Sequence, residues 1–304
     1  MTAMPGTPSI QNAIPMRFFG TTPFAAPGLG LIASVVMLGF GWRWLEWRAR
    51  RLGPEADETA ATATDPGGAM PSVAAALLPL VTVLAVNVGF TFAVLPRLPT
   101  DWLGDPRFGG PDLDTVRGIW SLIVALAAAC LVLIALNWRR IGETLKATLG
   151  EGADGAMKPI FNTACLVGFG SVVAALPGFA VISASLTALG DDNPLISLAL
   201  ATSILAGLTG SASGGMSIAL TTLGATYLEM AMVAGISPDL LHRVTAVATG
   251  GLDTLPRNGA VITLLAICGR THREAYPDIA AVAVAGPLLA LVVLIALGSI
   301  FGSF

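Results

Sequence analysis

Polar and apolar positions in this chain separate into long blocks instead of alternating. Phe18–Trp42, Pro71–Pro96, Gly118–Trp138, Pro159–Gly190, Asn193–Leu228 and Ile279–Phe304 contain no Asp, Glu, Lys or Arg. A hydrocarbon core of roughly 30 Å is crossed by about 20 apolar residues as helix, so every block is long enough to span a bilayer. Two are too long for a single span. Asn193–Leu228 has 36 residues, which as one helix would run to about 54 Å, more than tilting accommodates. Its middle, "GLTGSASGGM" (207–216), is rich in glycine and hydroxyl residues, and Pro159–Gly190 is broken by "LPGF" at 176–179. Both blocks read as broken spans or hairpins. Irregular backbone at membrane depth is tolerated only where it is buried in protein or lines a water-filled cavity.

A third interruption carries charge. In "ATGGLDTLPRNGAVITLL" (248–265), Asp253, Arg257 and Asn258 sit near the centre of an apolar segment beside Gly250, Gly251 and Pro256. A charge at bilayer depth costs at least about 2.5–3.5 kcal/mol on insertion scales. Gly and Pro cost an unbroken helix about 1 and 3 kcal/mol. A helix that opens near 249–258 accounts for both, with the polar groups lining a cavity. Interrupted hydrophobic segments of this kind point to a secondary transporter's binding site.

Composition agrees. Of 304 residues, 54% are apolar and 12% charged, half the charge of a typical soluble domain, and the mean hydropathy is +0.78. The fold class expected is an all-α polytopic membrane protein. The net charge of −3, with no basic stripe, argues against a nucleic-acid partner. Cys130, Cys165 and Cys268 stand alone in apolar segments, which suits small apolar residues better than metal ligands. No nucleophile–base pair or metal cluster suggests an enzyme, and the first residues have no basic region followed by an apolar one, as a signal peptide would.

Basic residues set the expected orientation. Arg43, Arg48, Arg50 and Arg51 follow the first block, and Arg139, Arg140, Lys146 and Lys158 follow the third; residues 97–117 carry three arginines against four aspartates. Residues 43–71 and 139–158 are therefore assigned to the cytoplasm and 97–117 to the outside. The resulting organisation is 1–47, a first broken segment with its span; 48–71, a flexible loop; 72–138, two spans; 139–158, an interfacial helix with Ile141, Leu145 and Leu149 on one face; and 159–304, with interruptions near 176–179, 207–216 and 249–258.

"MPGTPSIQNAIPMRFFGTTPFAAPGLG" (4–30), "GSASGGMSIAL" (210–220) and "GISPDLLHRVTAVATGGLDTLPRNGAVITLLAICGRTHREAYPDI" (235–279) closely resemble the gluconate permease family. The likeness extends more loosely along the chain, including "PIFNTACLVGFGSVVAALPGF" (159–179). The resemblance implies a proton-coupled sugar-acid symporter of the ion-transporter superfamily, multi-pass in the bacterial inner membrane. It also implies two inverted repeats, each with a re-entrant hairpin and a broken helix, and a possible homodimer. Family members carry several helices upstream of the stretch resembling "PGTPSIQN", so the first repeat is expected to be incomplete. An inactive or partial piece of such a permease is the rival reading.

A sugar acid offers a carboxylate and several hydroxyls. A broken helix supplies free N–H groups and a positive dipole end for the first, and amides and hydroxyls suit the second. The substrate-binding residues expected are Gly250, Gly251, Thr254, Arg257 and Asn258 from one segment, with Ser211, Ser213, Gly214 and Gly215 from another. Thr7, Gln11 and Asn12 complete the set from the first repeat. Close helix packing is the alternative for the 210–215 glycines. Asp253 is either the proton-coupling group or an ion-pair partner of Arg257 or Arg243, and Arg257 could instead clamp the substrate carboxylate. His242 either sits with Arg243 at a mouth of the protein or takes part in the proton path. No cofactor is implied. The coupling ion stays open between proton and sodium, since broken-helix carbonyls can hold Na⁺, and the resemblance favours protons. The substrate is gluconate or another hydroxy-carboxylate.

Overall fold

The computed structural model describes residues 3–52, 72–99, 101–105, 113–178, 181, 184–185 and 193–304. Most of the loop expected at 48–71, the centre of 97–117 and the end of the 176–179 interruption lie outside those residues. Every regular element among the described residues is helical, and the chain is a multi-pass α-helical membrane protein. Among the described residues, five helices are long and apolar enough to cross a bilayer: Pro27–Arg51, Ala75–Arg97, Val116–Arg139, Ala212–Val233 and His272–Phe301.

Helix α1 (Ile10–Phe19) stops at Gly20, whose φ of 63° is the left-handed conformation that glycine adopts without penalty. Seven irregular residues follow, and α2 (Pro27–Leu52) starts on a proline, whose missing N–H is harmless in a first turn. The uncharged block Phe18–Trp42 is thus two elements with an interruption at 20–26, not one span. Helix α2 also continues through Arg43–Arg51, which the sequence pattern had assigned to a loop. An i,i+4 pair, Arg50 to Glu46 at 2.5 Å, and the Arg51 guanidinium over the Trp47 ring support those extra turns.

Helix α3 (Val73–Gly89) runs on through a π turn, Phe90–Val94, and a 3₁₀ turn, Leu95–Arg97, and packs against α4 (Leu113–Ile141). Helix α5 spans Leu145–Ala175 without a break, so the polar stretch expected to lie at the interface and the start of the next apolar block form one rod.

The long block Asn193–Leu228 folds as a hairpin. Helix α6 (Pro194–Thr209), capped by the Asn193 side chain, ends at a left-handed Gly210; Ser211 then caps α7 (Ala212–Val233) by accepting from the Gly214 N–H at 3.1 Å. The two arms touch. A Cβ built on Gly215 would lie 2.2 Å from the Ala206 Cα.

Helix α8 (Pro238–Leu252) is the axis of the molecule, with Leu240 through Thr249 buried on every side. It packs against α6, α7, α1 and α11 (Gly286–Phe301). The main core joins Leu29 and Ala33 of α2 with Leu195 and Leu198 of α6. It continues through Met216, Leu220 and Tyr227 of α7, Leu241, Val244 and Val247 of α8, and Ala290 and Leu294 of α11. A helix buried all round needs no polar face, so its hydroxyls turn inward on their own backbone: Thr245 Oγ1 donates to the Leu241 carbonyl at 2.7 Å. Helices α9 (Gly259–Ile267) and α10 (His272–Ile279) follow, and α10 passes through a π turn, Ala280–Ala285, into α11. At one end of α2 the Gly28 N–H meets the Phe304 carbonyl at 2.8 Å; at the other Arg48 pairs with Asp278 at 2.8 Å. Helix α2 and the α10–α11 rod are therefore antiparallel neighbours.

Candidate functional site

Two clusters of polar residues lie inside the apolar segments near the two ends of α8. The first is the interruption between α8 and α9. Here the helix runs through Gly250 and Gly251 and stops at Leu252. The glycine pair does not open the backbone; instead Gly251 lets α11 approach, since a Cβ there would sit 3.3 Å from the Leu288 side chain. The opening is 253–258. Thr254 Oγ1 donates back to the Gly251 carbonyl at 3.1 Å and across to the Ala283 carbonyl at 3.2 Å. Tyr276 Oη donates to the Thr254 carbonyl at 3.3 Å, and His272 Nε2 lies 2.9 Å from the Pro256 carbonyl. The Thr254 and Pro256 carbonyls of the turn thus find partners on α10.

Asn258 closes the turn. Its Oδ1 accepts from the Ala260 N–H at 2.6 Å and the Val261 N–H at 3.2 Å, capping α9. Its Nδ2 donates to the Asp253 carbonyl at 2.6 Å and to the Gly210 carbonyl at 2.8 Å. That last bond ties the interruption to the tip of the α6–α7 hairpin. Arg257, exposed, reaches the same tip and donates through Nη2 to the Gly207 carbonyl in the last turn of α6, where the helix dipole is negative. The N-termini of α7 and α9 therefore meet, with Ser211 and Asn258 as their caps. Ser213 stands beside Ser211, Oγ to Oγ at 3.5 Å.

Asp253 differs from its neighbours. Its Oδ1 is buried with no hydrogen-bond partner, and it forms an ion pair with neither Arg257 nor Arg243. The ion-pair alternative for Asp253 is thus not the one adopted, because both arginines are committed to backbone carbonyls.

The second cluster lies about 16 Å away along α8, eleven residues back at 1.5 Å each, and surrounds His242 and Arg243. Both side chains are fully buried, as is Asn12. Arg243 uses all five guanidinium protons. Nε donates to the Ala25 carbonyl at 3.0 Å, Nη1 to the Ala3 carbonyl at 3.0 Å and Asn12 Oδ1 at 3.1 Å, and Nη2 to the Pro23 and Ala25 carbonyls at 3.3 and 2.5 Å. His242 Nε2 lies 3.2 Å from Asn12 Oδ1, which can only accept, so that nitrogen carries a proton; Nδ1 lies 2.6 Å from Thr21 Oγ1. His242 is accordingly interior and not a surface pair at a mouth.

Asn12 Nδ2 faces the Thr7 carbonyl and Thr7 Oγ1, both at 3.2 Å, and Thr7 Oγ1 donates to the Met4 carbonyl at 2.9 Å. Gln11 is half-buried on the same turn. The structure therefore gathers Thr7 and Asn12 around the start of α8. Asp253, Thr254, Arg257, Asn258, Ser211 and Ser213 gather around its end, with Gly214 and Gly215 in the first turn of α7. The three segments do not converge on one point.

The Arg243 knot is not legible at His242–Arg243 itself, where the sequence shows only two neighbouring polar residues. Its signal was "GTTPFAAPG" (20–28), two glycines and two prolines within a block read as a single span.

No family model matches the chain, and no solved structure matches it. It is 41% identical over 299 residues to a Bacillus subtilis (strain 168) protein named "Uncharacterized transporter YxjC", an alignment that covers 93% of this chain and 63% of that protein. The chain thus spans less than two thirds of that relative's length.

Proposed function

We propose that the chain is a secondary active transporter that takes up gluconate or a related sugar acid together with protons. The observation that carries this reading is the 253–258 interruption, where two capped helix N-termini, Arg257 and a buried, unpartnered aspartate oxygen meet inside a multi-pass helical protein. The transporter relative and the resemblance to gluconate permeases support it from outside the structure.

In this mechanism the substrate carboxylate settles at the meeting of the α7 and α9 N-termini, where the dipole ends favour an anion, and Arg257 leaves the Gly207 carbonyl to clamp it. Asn258, Thr254, Ser211 and Ser213 exchange hydrogen bonds with the sugar hydroxyls and Gly214 lets the ligand approach the backbone, while Gly215 holds the α7 arm against Ala206 of α6. Gly251, next to Gly250, keeps the α8 end close-packed against α11. Asp253 supplies the coupling. Two carboxylates cannot both stay charged at contact in a low-dielectric site, so an anion bound beside Asp253 travels with a proton on that side chain. Alternating access arises from the inverted repeats that the resemblance implies. Thr7, Gln11, Asn12 and His242, gathered about 16 Å away at the other end of α8, lie outside this carboxylate site.

The test is uptake of labelled gluconate into proteoliposomes under an inward proton gradient. Unlabelled aldonates, other hydroxy-carboxylates and glucose serve as competitors, and a sodium gradient as the parallel arm. Gradient-driven accumulation blocked by aldonates and not by glucose is expected. The Asp253→Asn chain should bind gluconate and lose proton-driven accumulation. Normal pH-dependent accumulation by that variant, or accumulation driven by sodium alone, would refute the coupling assignment.

A further inference from the structure

The cytoplasm-assigned end of α2 carries a second constellation, unrelated to the two clusters on α8. Phe40, Arg43, Trp44, Glu46, Trp47 and Arg50 line a groove of about 560 Å³ on the helix surface. Three of the four basic side chains there are already engaged. Arg48 pairs with Asp278, Arg50 with Glu46, and Arg51 stacks on Trp47, while the Trp44 indole N–H also donates to Asp278 at 3.0 Å. Arg43 is exposed and makes no such contact among the described residues. Leu31, Val35, Leu38, Trp42 and Leu45 form a continuous exposed apolar stripe along the span, spaced four and three residues apart and turned away from the face that carries Phe40, Trp44 and Trp47; the stripe ends beside Arg43.

We propose that this end of α2 binds an anionic phospholipid, with its acyl chains along the stripe and its phosphate on Arg43. Charge and depth together select this occupant. Four arginines against Glu46 and Asp278 leave a net positive patch where the apolar stripe ends. Basic clusters directly beyond a span attract anionic headgroups, and tryptophans settle at that level. A second copy of the chain fits the stripe less well. Two parallel α2 helices related by a two-fold axis along the membrane normal would place their arginine-rich ends against each other. Trp44 and Arg48, held on Asp278, fix the other side of α2 to the α10–α11 rod and leave the stripe and Arg43 to the lipid.

The experiment titrates the delipidated full chain in detergent with dansyl-labelled phosphatidylglycerol or phosphatidylcholine, reading energy transfer from tryptophan. The wild-type chain is expected to prefer phosphatidylglycerol, and Arg43→Gln to weaken that binding about fivefold, the worth of one basic residue at such a surface, with phosphatidylcholine unaffected. Arg43→Lys should recover most of the loss. Arg97→Gln, on a different element, serves as the control and should bind as wild type. Equal affinity for the two lipids, or an Arg43→Gln chain that binds phosphatidylglycerol as wild type does, overturns the proposal. Displacement of the labelled lipid by millimolar inorganic phosphate overturns the lipid as the source of the anion.

Discussion

Arg243→Lys isolates what holds the first interrupted segment in place. The guanidinium spends five protons on four acceptors, the carbonyls of Ala3, Pro23 and Ala25 and the Asn12 amide oxygen. An ammonium has three protons, so at least two of the five bonds disappear. Hydrogen bonds to a charged group contribute about 1.5–3 kcal/mol each, which puts the loss at about 3–6 kcal/mol. The local backbone magnifies the effect. Ala26 has φ 41°, a conformation that a residue with a Cβ rarely adopts, and the carbonyl before it receives two of the arginine's bonds. Without that grip, residues 20–26 should relax and the start of α2 should separate from α8. The assay is thermal unfolding of the purified chain in detergent, paired with hydrogen exchange of the 20–26 amides. A clear fall in melting temperature and faster exchange confined first to 20–26 are expected. A variant within about 1 kcal/mol of wild type, with unchanged exchange in that segment, would refute the claim that fork geometry and not charge alone secures it.

Other tests follow from single contacts. Gly215→Ala should lose the monodisperse peak in size-exclusion chromatography, because its Cβ would lie 2.2 Å from Ala206 backbone atoms, whereas Gly224→Ala should survive, its nearest foreign atom being Phe18 Cδ1 at 3.5 Å. Asn258→Ala should cost about 0.5–2 kcal/mol for the α9 cap and more for the lost bridge to Gly210. Asn258→Ser, which keeps the cap and drops the bridge, should fall between, and equal melting temperatures for all three would remove the bridge from the account. Asp253→Asn should fold and insert like wild type and lose proton-driven uptake in the proteoliposome assay.

The structure separates two kinds of information in the chain. The long uncharged blocks determined by themselves that the chain is helical and crosses a membrane, because a bilayer leaves backbone polar groups no partner except their own helix. The places where helices must stop were largely local as well. Gly210 turns the α6–α7 hairpin, and Pro256 with Asn258 separates α8 from α9, each through the chemistry of one or two residues. Even so, Gly250 and Gly251 read as breakers and lie inside a helix, and what Gly251 provides is room for Leu288, a neighbour 37 residues on.

Only the tertiary structure decided what the polar residues do. His242 and Arg243 have the same local sequence whether they sit at a mouth or in the centre of the molecule. Their partners, Asn12, Thr21 and the carbonyls at 3, 23 and 25, lie more than two hundred positions away. Asp253 stands between two arginines in sequence and meets neither, because each cation found carbonyls closer in space. A buried hydrogen bond is specified by three-dimensional proximity and by the cost of leaving a donor or acceptor unpaired. Neither is written in the periodicity of a chain.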